Sequence, residues 1–127
     1  SGKRIVVFAL PGAFTPTCSA AHLPGFVVNV DAIKAKGVDT VVCMAVNDAF
    51  VMGAWGKAQN AEHIFMLADG NADLTRALGL ELDGTGFGMG TRSKRFAMIV
   101  NNGVVELLNV DAAALEKSTA ETILAAL

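Results

Sequence analysis

Pro11, Thr15 and Cys18 share the stretch PGAFTPTC, which runs on from the apolar IVVFAL. A short β-branched run halted by Pro-Gly reads as a buried strand ending in a loop. A packed core has no use for a loop of prolines and threonines ending in a thiol, whereas a nucleophilic sulfur does. If Thr17 opens a helix, Cys18 lies in its first turn. Unpaired backbone N–H groups and the positive end of the helix dipole there favour thiolate over thiol. The carboxyl end of a strand is also where open α/β sheets place their sites. Residues alone leave a second reading open, because free cysteine is commonly just a small buried hydrophobe.

Spacing separates the known cysteine chemistries. A tyrosine-phosphatase loop needs arginine six residues after the cysteine, where Pro24 stands. A dithiol C-x-x-C motif needs cysteine at position 21, which is Ala21. Cys43, 25 residues further on in VVCMAV, fits neither that motif nor zinc-ligand spacing, and it reads as a core residue of a buried strand. His22 lies one helical turn from Cys18 and is a candidate base for a Cys–His pair. A solvent-facing or capped histidine is the expectation preferred here. The basic cluster RSKR offers Arg92 and Arg95 as equal candidates for an anion-holding role, or as surface charges. A strand from Lys94 to Asn101 would put Arg95, Ala97 and Ile99 on one face.

These residues need a scaffold, and the pattern supplies one. KRIVVFAL is a strand, and a mostly helical stretch follows from Thr17 to about Lys36, with a kink or break at Pro24-Gly25. Val38 to Val46 is a second strand. Asn47-Asp48 caps a helix through AFVMGAWGKAQ. HIFMLAD is a third strand, and NADLTRALGL a short helix capped near Asn71 or Asp73 and closed at Gly79. ELDGTGFGMGT reads as a long loop. KRFAMIV and VVELLNV form a hairpin across Asn-Gly. STAETILAAL is a final helix opened by a capping box, Ser118 and Glu121. Strands alternating with helices and then a hairpin predict an α/β protein with a mixed central sheet flanked by helices, thioredoxin-like, with a flavodoxin-like doubly wound sheet second.

The 127 residues are 53% hydrophobic and 17% charged, more apolar than an average soluble domain. This disfavours disorder and suits one well-filled domain over residues 1–127, with an apolar subunit contact to spare. Ten Lys and Arg against twelve Asp and Glu give a net charge of −2. Apart from RSKR the basic residues are scattered, so nucleic acid is not an expected partner. No apolar run approaches the ~20 residues of a membrane span. No signal peptide is visible, and the rapid entry into a strand after Ser1-Gly2 leads us to expect that a leader or lead-in segment has been removed. Two cysteines without a secretion signal point to an intracellular reducing compartment.

PGAFTPTC resembles the peroxiredoxin signature P-x-x-x-T-x-x-C, met by Pro11, Thr15 and Cys18. HLPGF, GVDTVVCMAVND, FVMGAWGK, LADGNADLTRALGLELD and RSKRFAMIV resemble successive segments of the type II, plant-like peroxiredoxins, so the resemblance covers nearly the whole chain. It implies a thioredoxin-like fold and thiol-dependent reduction of hydrogen peroxide and alkyl hydroperoxides. It also implies that the arginine before Phe96, Arg95, completes the site. The chemistry agrees: the Arg95 fork can donate to both sulfur and peroxide oxygen, the Thr15 hydroxyl can orient the peroxide, and Pro11, with no N–H, can wall off the sulfur. No metal or cofactor is called for.

The resemblance further implies regeneration by glutaredoxin with glutathione, or by thioredoxin, and a homodimer. A plastid is one implied address, beside cytosol and mitochondrion. Two departures stand out. Some members carry a C-terminal resolving cysteine, but no cysteine follows Cys43, and Ser118 stands in roughly that place. Members usually have a further N-terminal stretch before the first strand. A redox sensor that relays Cys18 oxidation to a partner protein is the competing expectation from another functional class.

Overall fold

The computed structural model describes residues 3–111 and 115–127. Ser1-Gly2, on which the expected removal of a lead-in segment falls, and residues 112–114 lie outside the described residues. Strand β1 (Arg4–Ala9) runs parallel to β2 (Thr40–Ala45), and β2 runs parallel to β3 (Phe65–Ala68). On the other side β1 pairs antiparallel with β6 (Arg95–Asn101), and β6 with β7 (Val104–Asp111). The sheet order is β3-β2-β1-β6-β7, the mixed thioredoxin-like sheet expected. The hairpin turns on Asn102 and Gly103, both at positive φ (52° and 80°), as a tight Asn-Gly hairpin requires.

Alternation along the strands makes two cores. Val6, Phe8, Val41, Cys43, Ala97 and Ile99 face one side. There they meet α1 (Leu23–Ala35), α2 (Ala49–Ala58) and α4 (Ala120–Ala126) through Phe26, Trp55 and Ile123, all fully buried. Val7, Ala9, Val42, Met44, Phe96 and Met98 form a smaller cluster on the other face. Arg95 begins β6 on the same side as Ala97 and Ile99, the side where the helices and Cys18 lie.

The helix after β1 does not break in two at Pro24. Residues 16–17 are already helical, Cys18–His22 form one π-helical turn, and α1 continues from Leu23. The Leu23 amide bonds the Cys18 carbonyl across the widened turn. Pro24 cannot donate, and its ring would crowd the carbonyl four residues back in a regular helix, so widening the preceding turn lets the helix pass.

Three caps differ from expectation. Asp48 caps α2 through the Val51 amide, but Asn47 turns back, and its Oδ1 accepts from the Ala13 amide at 2.9 Å. Helix α3 (Asp73–Ala77) is capped by neither Asn71 nor Asp73; Asp69 accepts from the Leu74 and Thr75 amides and the Thr75 hydroxyl. Burial pushes the Asp69 carboxyl up, and these hydrogen bonds, led by the Thr75 hydroxyl, outweigh it and hold the group below its ordinary range. Helix α4 is capped by Thr119, not Ser118.

The glycine-rich stretch is not a long loop. It holds β4 (Glu81–Asp83) and β5 (Thr91–Ser93), paired antiparallel around a 3₁₀ turn at Thr85–Phe87. The Gly84 amide reaches the Gly90 carbonyl at 2.7 Å, and a Cβ on Gly84 would stand 2.9 Å from that same oxygen. Glycine there permits a close approach that closes the ribbon.

Candidate active site

The loop after β1 is held at both ends. The Leu10 amide bonds the Met44 carbonyl, extending the β1–β2 pairing, and Asn47 anchors Ala13. Between them Phe14 takes φ 63°, a left-handed conformation that costs a non-glycine residue energy and persists where the surroundings enforce it. Pro11, half-buried, leads into this loop. The Thr15 hydroxyl donates to the Gly12 carbonyl at 2.7 Å, and the Thr15 carbonyl receives the Ser19 amide. With its hydrogen committed to Gly12, the Thr15 oxygen keeps lone pairs for an incoming O–H.

Cys18 opens the π-helical turn and is 1% exposed. Arg95 Nη2 lies 3.3 Å from its sulfur, which brings together two residues 77 positions apart in the chain. Among the described residues Arg95 has no carboxylate within ion-pair distance. A buried guanidinium needs a compensating charge or acceptor, and Arg95 addresses two, the Cys18 sulfur and His22 Nδ1.

Arg92 does not reach the sulfur. Its Nε donates to the Met89 carbonyl and its Nη1 to the Val46 carbonyl, both at 2.9 Å. Nη1 would also lie 3.3 Å from a Cβ placed on Gly12. Arg92 is therefore neither a second anion holder nor a free surface charge. It ties the β4–β5 ribbon to the end of β2 beside the Cys18 loop.

His22 is the larger correction. It is 1% exposed, packed at a tilt against the rings of Phe8 and Phe26, and not solvent-facing. Its Nε2 lies 2.9 Å from the Ser118 carbonyl and its Nδ1 2.8 Å from Arg95 Nη1. A carbonyl only accepts and a guanidinium only donates. Both contacts are hydrogen bonds only if His22 is neutral with its proton on Nε2. Nδ1 is then committed to Arg95 and unavailable as a base for Cys18. Burial is the main cause that pushes the His22 pKa down, to about 4; the Ser118 hydrogen bond opposes it, Arg95 adds to it, and Asp111 opposes it.

Ser118 is fixed in turn by Asp111. The Asp111 carboxylate accepts from the Ser118 hydroxyl at 2.7 Å and from the amides of Glu116, Lys117 and Ser118. Burial pushes this carboxyl up, and these hydrogen bonds more than reverse it, leaving it at about 2. Asp111 is also the cross-strand partner of Arg95. Cys43 is fully buried mid-strand opposite Phe8, and burial first, then Cys18, push its thiol well up. Among the described residues no group of three or more His, Cys, Asp and Glu side chains could hold a metal ion.

These shifts set an acid-stability profile. A buried neutral His22 lets the unfolded chain bind a proton that the folded chain refuses. Stability is therefore complete above the usual 6.5 and falls as pH drops toward about 4, by about 3 kcal/mol from this group alone. Asp111 acts lower: its contribution is present above the usual 3.8 and is lost as pH falls toward about 2. Urea denaturation between pH 7 and 4 should show the upper loss, and an unchanged midpoint across that window would contradict the buried neutral imidazole.

The family model for redoxin matches residues 1–124. Peroxiredoxin-2D of Arabidopsis thaliana is 47% identical over the whole of this chain, which covers 80% of that protein. The chain belongs to the peroxiredoxin family. The chloroplastic Peroxiredoxin-2E-2 of Oryza sativa subsp. japonica is 48% identical over the whole chain, which covers 59% of its length. Among solved structures, reduced Prx3 of Vibrio vulnificus in complex with H2O2 is 65% identical, with a TM-score of 0.97, covering 100% of this chain and 83% of that one. This peroxiredoxin is accordingly a thiol peroxidase, an oxidoreductase of the thioredoxin fold. Among its described residues no helix is long and apolar enough to cross a membrane.

Proposed function

We propose that this peroxiredoxin reduces hydrogen peroxide and alkyl hydroperoxides through Cys18, with Arg95, Thr15 and Pro11 completing the site. The Cys18 thiolate attacks one peroxide oxygen. An S–O bond forms as the O–O bond breaks, and sulfur loses the two electrons that the peroxide gains. The departing oxygen takes a proton and leaves as water or alcohol. Arg95 stabilises the thiolate and then the charge growing on the leaving oxygen. The Thr15 oxygen accepts the peroxide O–H and aligns the O–O bond. Pro11 offers no N–H to the pocket and limits water. The observation that carries the reading is the 3.3 Å approach of Arg95 Nη2 to Cys18 Sγ in a buried site. The hydrogen peroxide complex of the Vibrio vulnificus relative supports the substrate class.

The sulfenic acid formed on Cys18 is reduced by an external thiol, glutathione delivered by glutaredoxin, or thioredoxin. Cys43 is enclosed in the second strand of the sheet, and packing of that density resists the movement a disulfide needs. A cycle that needs Cys18 reduced by external thiols suits a reducing compartment, and the chloroplastic rice relative extends that reading to a plastid. The test is steady-state peroxide consumption with glutathione alone, with glutaredoxin plus glutathione, and with thioredoxin plus its reductase. Turnover with at least one donor is expected. Stoichiometric oxidation without turnover would instead support the sensor reading.

Mass spectrometry of peroxide-treated protein without donor should find one, then two, added oxygens on Cys18. A quantitative loss of two hydrogens joining Cys18 to Cys43 would make Cys43 the resolving residue.

We read residues 1–127 as one catalytic unit that acts as a homodimer. Phe14 is 57% exposed and 6.4 Å from Trp55 in α2, and Phe50 in the first turn of that helix is 90% exposed. Exposed rings flanking one helix beside the site suit a subunit contact. Sedimentation at micromolar concentration should find a dimer that Phe50→Arg weakens, whereas a monomer alone would contradict it.

A further inference from the structure

We propose that His22 is a positioning residue for the peroxide reaction. Its Nδ1 lone pair pins one terminal nitrogen of Arg95, so that the other terminal nitrogen addresses the Cys18 sulfur, and the Ser118 carbonyl, stapled by Asp111, sets the imidazole. The inference rests on the reading of Cys18 and Arg95 as the reacting pair.

An arginine side chain carries several rotatable bonds, and its value in a site depends on the fork being held in place. Arg95 has two named anchors: Nη1 on His22 Nδ1 at 2.8 Å and Nη2 on Cys18 Sγ at 3.3 Å. As the sulfur is oxidised and charge passes to oxygen, the second anchor changes its chemistry. His22 is the anchor that persists through the step. It holds that place because its other face is fixed by the Ser118 carbonyl at 2.9 Å. That carbonyl is fixed by four groups donating to Asp111, the hydroxyl of Ser118 and the amides of Glu116, Lys117 and Ser118. The titratable and charged groups facing His22 are Cys18 on its own turn, Arg95 on β6 and Asp111 at the end of β7. A proton on Nδ1 would set two donors against each other and remove the pin.

Two substitutions separate the two ends of the imidazole. His22→Asn keeps an oxygen acceptor near the Nδ1 position and loses the donor to Ser118. His22→Gln keeps a donor near the Nε2 position and loses the acceptor for Arg95. Both should lower thermal stability to a similar extent. His22→Gln should slow single-turnover oxidation of Cys18 by peroxide on the order of 10²-fold, the scale of misplacing a reacting group by about 1 Å. It should also slow iodoacetamide alkylation of Cys18 at pH 7. His22→Asn should stay within about threefold of wild type in both. Equal rates in the two variants, or rates that track only their stability, would overturn the proposal. Alkylation involves no peroxide. If wild type fails to turn over peroxide while the alkylation pattern holds, the peroxidase reading fails and what stands is that His22 places Arg95 on the Cys18 sulfur. The wild-type protein supplies a measurement independent of variant folding. Long-range ¹H–¹⁵N correlations at pH 7 should show His22 neutral with its proton on Nε2, and an Nδ1–H tautomer or an imidazolium would overturn the proposal.

Discussion

Cys18→Ser is expected to abolish peroxide consumption, while Cys43→Ser and Cys43→Ala keep most of it. Both cysteines are almost fully buried, so exposure does not separate them; partners do. Cys18 has the Arg95 guanidinium 3.3 Å from its sulfur and lies at a loop–helix junction. Cys43 lies mid-strand between β1 and β3, and burial holds it as a thiol. Only a thiolate is a useful nucleophile toward peroxide. Serine at 43 buries a hydroxyl in an apolar core and should cost about 1–3 kcal/mol of stability, which alanine avoids by losing the polar atom. The measurement is peroxide consumption normalised to folded protein at one temperature. Equal loss in the Cys18 and Cys43 variants, with all of them folded, would sink the assignment.

What was legible in the chain follows from where its information lies. Pro11, Thr15 and Cys18 are neighbours, so a local pattern carries them, and the strand before them is plain from its β-branched run. The hairpin was legible because Asn102 and Gly103 accept the positive φ it needs. Arg95 was half legible. Strand alternation puts it beside Ala97 and Ile99, but only the resemblance separated it from Arg92.

His22 is singled out but misplaced by the sequence because its partners, Arg95 and Ser118, are 73 and 96 residues away. Spacing from Cys18 reveals one turn of helix and nothing of what packs on it. Ser118 misled for the same reason: a local capping box competes with a carboxylate seven residues back, and the carboxylate wins. The β4–β5 ribbon was hidden because glycines that permit the Gly84–Gly90 contact also erase the alternation by which strands are recognised.

Arg95→Ala should slow Cys18 oxidation by on the order of 10²-fold or more, the usual consequence of removing a donor aimed at developing charge in a dry site. The loss has two sources. The sulfur loses the guanidinium nitrogen 3.3 Å away, and the departing oxygen loses its donor in the transition state. Arg95→Lys should recover little, because a single ammonium cannot span His22 Nδ1 and Cys18 Sγ as two guanidinium nitrogens do. Arg92→Ala tests the same cluster from outside the sulfur's reach. It frees the Met89 and Val46 carbonyls and loosens the ribbon beside Gly12, so it should lower stability and slow the reaction by roughly tenfold through misplacement. The two variants also differ in kind. Alkylation of Cys18 by iodoacetamide at pH 7 should fall sharply in Arg95→Ala and stay close to wild type in Arg92→Ala, because only Arg95 touches the sulfur. If Arg92→Ala proves the more damaging in both assays, the anion holder of this site is Arg92 and the role given to Arg95 is wrong.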